Sequence, residues 1–170
     1  MRSFYIFLLF FSVSAFASVT DVQLKEKHRD WHVYTALEDG EKICYMVSYP
    51  KKEGETDRKP YITVSYIDDK IDEVSVTSGF QYDREPITLH IDRKIKYMLP
   101  IIDGGFAWAE DTKTDRDLVL RMKGGLSMVV SGKKKGTTIN DTYSLLGFQN
   151  AYKKMHELCK KTDEKVVNKK

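Results

Sequence analysis

What this chain has little of narrows it first. Two cysteines in 170 residues are too few for a small disulfide-knotted scaffold, and without a cluster of histidines beside them they cannot complete a tetrahedral zinc site. Four prolines and ten glycines exclude collagen-like and low-complexity chains. Lys and Arg outnumber Asp and Glu only 28 to 25, so the large basic excess of a nucleic-acid binder is missing. The apolar run near the start is eight residues long, far short of the roughly 20 needed to cross a bilayer, which rules out a multi-span membrane protein. Short fingerprints of catalysis are missing too. The chain has no HExxH, no GxSxG, no P-loop, no GxGxxG and no CxxC.

The first 17 residues read as an export signal. Arg2 gives a positive start, Phe4 to Phe11 is the apolar run, Ser12 and Ser14 end it, and Ala15-Phe16-Ala17 has the small-x-small pattern read by signal peptidase. Cleavage is expected after Ala17. The rest then carries 27 basic against 25 acidic side chains, +2, and forms one domain over residues 18–161 followed by a charged, disordered tail over 162–170. Export places Cys44 and Cys159 in an oxidising compartment, where a disulfide is the natural pairing; a pair of buried or reactive thiols is the alternative.

Along the domain, apolar and polar residues alternate with period two, and β-branched and aromatic residues crowd the alternating stretches. This is the pattern of an all-β antiparallel protein. Residues 31–37 and 42–48 flank Asp39-Gly40, a pair suited to a tight hairpin turn. Residues 50–60, bounded by Pro50 and Pro60, form a polar loop. Strands follow at 61–67, 73–78 and 87–91. The segment 96–102 contains Pro100 and is expected at a sheet edge or with a bulge. A short strand covers 106–109, and a second hairpin joins 126–131 to 137–145 around Lys133-Lys134-Lys135-Gly136.

Two segments have helical spacing instead. Leu118, Val119 and Met122 define a short helix over 115–123 ending at Gly124-Gly125. From Gly147 onward, Phe148, Ala151, Tyr152, Met155, Leu158 and Cys159 recur at intervals of three and four, an amphipathic C-terminal helix. With Cys159 on its buried face, a bond to Cys44 would staple this helix to the first hairpin.

The stretches Trp31-His32-Val33-Tyr34, Cys44-Tyr45, Tyr61 to Ser65, Glu73-Val74-Ser75, Ala107-Trp108-Ala109 and, most specifically, Asp141-Thr142-Tyr143-Ser144-Leu145-Leu146-Gly147-Phe148 followed by Cys159 together resemble the invasion-associated locus B family. The resemblance runs in order over nearly the whole exported part. It implies a periplasmic or envelope protein with a β-sandwich-like fold, linked in some pathogens to virulence through host-cell invasion, and it brings no established reaction or catalytic residue to carry over.

Independent tests for chemistry give little. His28, His32, His90 and His156 have no metal-ligand spacing, and the carboxylates at 68, 69, 72 and 73 lack the calcium-loop pattern, so no metal, cofactor or catalytic residue is expected. Trp31, Trp108, Tyr143 and Phe148 read as core aromatics rather than a ligand groove. The run Lys133, Lys134 and Lys135 is either a solubilising hairpin tip or a contact for an anionic lipid or other polyanion. The expected role is non-enzymatic surface recognition, through these lysines and the 50–60 loop, of an envelope protein or a host-surface component, with peripheral membrane contact and without nucleic acid. A small-ligand or lipid-binding pocket between the sheets is the runner-up, and a hydrolase with a scattered site is third. Thiol titration of the native protein is expected to find no free cysteine; two titratable thiols would remove the staple.

Overall fold

A computed structural model describes residues 18–51, 57–67 and 72–160. Residues 1–17, expected to be a signal segment, residues 52–56 and 68–71, and residues 161–170, which take in the expected tail, lie outside the described residues. In chain order the strands are β1 (Val19–His28), β2 (Trp31–Glu38), β3 (Glu41–Ser48), β4 (Tyr61–Tyr66), β5 (Asp72–Thr77), β6 (Ile87–Ile91), β7 (Ile95–Leu99), β8 (Ile101–Asp103), β9 (Phe106–Trp108), β10 (Ser127–Lys134) and β11 (Thr137–Ser144). Helix α1 (Thr112–Gly124) separates β9 from β10, and α2 (Phe148–Cys159) follows β11. Two antiparallel sheets form the expected sandwich: a seven-stranded one in the order β1-β2-β3-β4-β5-β9-β8 and a four-stranded one in the order β11-β10-β6-β7.

The period-two pattern decides which face is buried. Trp31 and Val33 of β2, Met46 of β3, Ile62 and Val64 of β4, Val74 and Val76 of β5, Leu89 of β6 and Met128 and Val130 of β10 are all fully buried and fill the space between the sheets. The first hairpin turns at Asp39 (φ 50°) and Gly40 (φ 85°), both left-handed as a two-residue loop of this hand requires. The second turns in the same way at Lys135 (φ 50°) and Gly136 (φ 78°).

Pro100 does more than mark an edge. Without an N–H it cannot extend a ladder. The chain leaves the outer edge of the four-stranded sheet at Leu99 and enters the outer edge of the seven-stranded one at Ile101, so one expected strand becomes two, β7 and β8, in different sheets. Helix α1 begins three residues before its expected start, because the Asp111 side chain caps it by accepting the Thr114 N–H at 2.7 Å. Trp108 departs from the expected core set. The three-residue β9 turns Ala107 inward, leaving Trp108 half-exposed beside Phe106, whereas Trp31, Tyr143 and Phe148 are buried as expected.

Cys44 and Cys159 form the disulfide, with Cα atoms 5.8 Å apart and 115 residues between them in sequence. It pins the end of α2 to β3. The other end of α2 is fixed at its junction with β11. There the Trp31 indole N–H donates to the Ser144 carbonyl at 3.1 Å, Phe148 meets the Trp31 ring edge-on with centroids 4.8 Å apart, and the Ser144 hydroxyl accepts the Leu146 N–H at 3.2 Å. Gly147 sits at φ 93° against the end of β1, where a Cβ would lie 1.9 Å from the His28 carbonyl oxygen. Both the left-handed backbone and the missing side chain are therefore required. Gly147→Ala is expected to lower unfolding stability by about 3 kcal/mol or more, measured as a shift in the urea midpoint; an unchanged midpoint would contradict the close approach.

Candidate recognition surfaces

The two loops singled out by the sequence meet at one end of the sandwich. Arg58, at the end of the polar loop, reaches β11 as a fork: its Nη2 donates to Asp141 Oδ1 at 2.7 Å and its Nη1 to Asp141 Oδ2 at 3.0 Å and to the Ser78 carbonyl at 2.8 Å. Asp141 is only 3% exposed, so this is a largely buried, bidentate pair that neither partner can lose without stranding the other. The Asp141 hydrogen bond holds the Arg58 guanidinium even more firmly protonated than usual, against the opposing effect of burial. Tyr143, buried beside this pair, keeps its hydroxyl without a hydrogen-bond partner among the described residues, and burial pushes its phenol well above the usual range.

The lysine tip closes over the same spot. Phe80 lies beneath both the Arg58 guanidinium (5.9 Å to the ring centroid) and the Lys134 ammonium (5.3 Å). Lys133 pairs with Glu85 at 2.7 Å. The Asp83 carboxylate accepts the N–H groups of Lys135 and Gly136 at 2.9 and 2.8 Å, and these hydrogen bonds pull its carboxyl below the usual range. Lys133, Lys134 and Lys135 are thus brought together with Arg58, Phe80, Asp83 and Glu85. Arg58 belongs to the loop already named, whereas Phe80, Asp83 and Glu85 were not singled out by sequence reasoning, since partners about 50 residues away leave no local spacing to read.

The histidines are not gathered. His32 is half-buried against Tyr49 on the outer face of the larger sheet, where burial and then Lys27 lower its pKa, with Asp30 opposing. His28 lies near Glu26, and His90 lies on β6 opposite Lys96 and Val129. No group of three or more His, Cys, Asp or Glu side chains suited to a metal ion occurs among the described residues.

A second cluster, unforeseen in the sequence, lies where α1, α2 and the start of β5 meet. Asp72 Oδ2 accepts the Tyr152 hydroxyl at 2.6 Å, and Oδ1 lies 2.9 Å from His156 Nε2. Burial, reinforced by the Asp72 carboxylate, raises the Tyr152 phenol, so it stays protonated and donating. Phenol and imidazole both reach one carboxylate, an arrangement that braces α2 against β5. Beside it, Lys123 Nζ sits 3.5 Å from the centroid of the Tyr152 ring. The residues come from β5, α1 and α2, and a cavity of about 520 Å³ opens among them.

Asp115 anchors α1 to the sheet. β9 pairs with β5 only from Ser75 to Thr77, and just beyond that ladder the Asp115 carboxylate accepts the Val74 N–H at 3.0 Å. Burial raises its pKa to about 6, with repulsion from Glu73, Asp111 and Asp72 adding to the rise and the Val74 hydrogen bond opposing it.

Two antiparallel sheets closed by a disulfide-pinned helix define the class: an all-β sandwich braced at both ends of its C-terminal helix. Within that class the chain belongs to the family described as Invasion associated locus B (IalB) protein, whose sequence model matches residues 31–156. The match begins at the first residue of β2 and ends within α2. No curated protein and no solved structure matches the chain.

Because the folded pKa of Asp115 is raised above its unfolded value, its contribution to stability is fully present below about pH 4 and is lost as pH rises through about 6, worth at most about 3 kcal/mol. Asp115→Asn, which mimics the protonated acid, is therefore expected to be more stable than wild type at about pH 7 and equal to it near pH 4. Urea midpoints of the two proteins across this range check the sign, and the carboxylates common to both cancel.

Proposed function

We propose that this chain is exported, is processed after Ala17 and works in the periplasm or outside the cell as a non-enzymatic recognition protein, in envelope function or host-cell invasion. Its partner is an envelope protein or a host-surface component. The observation that carries this reading is the convergence over Phe80 of the two loops, through Arg58 on one side and Lys134 on the other. Exposed loops fixed on a rigid sheet scaffold commonly carry binding, and here the fixing is visible in the buried Arg58–Asp141 pair. The disulfide supports an oxidising compartment, and membership of the family supports an envelope or invasion-associated role. No helix among the described residues is long and apolar enough to cross a membrane.

The alternative of a small-ligand or lipid-binding protein is favoured by an open cavity at α1 and α2, whereas fully buried side chains occupy the interior between the sheets.

A pull-down with purified protein against solubilised envelope fractions, at low and high salt, tests the recognition reading. Retention of one partner near stoichiometric amounts is expected. Replacing Lys133, Lys134 and Lys135 with Ser is expected to weaken that association and flatten its salt dependence; a binding curve that does not change would remove this patch from the interface.

A further inference from the structure

The cavity between α1, α2 and β5 has the composition of a ligand site, with cations, carboxylates and apolar side chains in one lining. Lys113, Arg116, Leu120 and Lys123 recur at intervals of three, four and three along α1 and all line the cavity, forming one stripe about 15 Å long on the helix surface. Two carboxylates also line it, Asp72 and Asp117, and both are engaged elsewhere. Asp72 is held by Tyr152 and His156, and Asp117 accepts the Tyr97 hydroxyl and pairs with Arg121 at 3.5 Å. Lys123 is half-buried and lies over the Tyr152 ring; burial lowers its pKa, with the Asp72 carboxylate opposing. Among the described residues neither Lys113 nor Lys123 forms an ion pair.

The apolar half of the cavity is equally specific. Val119 and the Tyr152 ring form one wall, and Leu120 stands 60% exposed at the rim, a large apolar side chain facing open space next to cations. Asp72, the carboxylate that faces Lys123, is already engaged by Tyr152 and His156, so an anion brought by a ligand still gains at this half-buried cation, and an exposed leucine beside it favours an apolar group on the same ligand. The volume of about 520 Å³ lies within the range of about 300 to 1,000 Å³ typical of small-molecule pockets.

We propose that this cavity binds an anionic amphiphile: a carboxylate or phosphate headgroup on Lys123 and Lys113, and an acyl-like tail against Leu120, Val119 and the Tyr152 ring. The site is separate from the loop surface over Phe80 and does not depend on it.

The test is titration calorimetry on the disulfide-bonded protein with dodecanoate and dodecyl phosphate, each below its micellar concentration, alongside dodecanol and inorganic phosphate. Saturable one-to-one binding of both anionic amphiphiles is expected, with dodecanol and inorganic phosphate each weaker by about tenfold or more, the loss of one half of the recognition. Lys123→Met keeps the stem and removes the charge, and is expected to weaken dodecanoate by about tenfold. Leu120→Glu, at an exposed position where folding is not at stake, is expected to abolish binding. No saturable binding of either amphiphile overturns the proposal. So does wild-type affinity in both variants, or inorganic phosphate binding as tightly as dodecyl phosphate.

Discussion

The Trp31 indole is the piece on which the rest of the architecture is hung. It opens β2, is fully buried, and gives its N–H to the last residue of β11 while its ring receives Phe148, the first residue of α2. One side chain therefore sets the angle at which the last helix leaves the smaller sheet and crosses to the larger. Gly147 makes that angle possible by letting the chain pass the His28 carbonyl at a distance no other residue allows. The stretch Tyr143 to Phe148, the most specific part of the family resemblance, is thus explained by packing: a buried ring, a carbonyl acceptor, a hydroxyl that ties its own turn, a residue without a Cβ and an aromatic knob.

Strand β5 ties the two candidate surfaces together. It starts at Asp72, which braces α2 beside the cavity, and ends next to Ser78, whose carbonyl holds Arg58 at the loop end. Six residues of strand separate them, about 20 Å. Val74 and Val76, fully buried, and the flanking ladders to β4 and β9 make that strand stiff. The two surfaces are then parts of one frame, placed far enough apart for a ligand at one to leave the other accessible.

Much of the fold was legible because alternation is a local signal. Both hairpins, with Asp39-Gly40 and Lys135-Gly136 at their turns, and both helices announced themselves in stretches of ten to twenty residues. β1 did not. As an edge strand it is exposed along nearly all its length and carries two register shifts, so no face of it is buried enough to impose period two. Pro100 was legible as an interruption, but whether a chain bulges or changes sheets there depends on what lies across the core. The sites were less legible still. The three lysines could be seen, whereas their setting on Phe80, Asp83 and Glu85 depends on contacts between distant segments. The cavity at α1 and α2 draws on Asp72, Lys123 and Tyr152, which no spacing rule links.

The disulfide also dictates an order of events. Cys44 is in β3 and Cys159 is the last residue of α2, so the closing of the covalent ring must wait until residue 159 has emerged. Pairings made early, such as the β2–β3 hairpin, remain provisional until then, and the long loop that must be closed makes this a slow, late step. A chain that ends after Cys44 but before residue 159 is left with an orphan thiol on β3. Synthesis through residue 159 is in this way a condition for locking the fold, and a copy that stops earlier stays open to proteolysis.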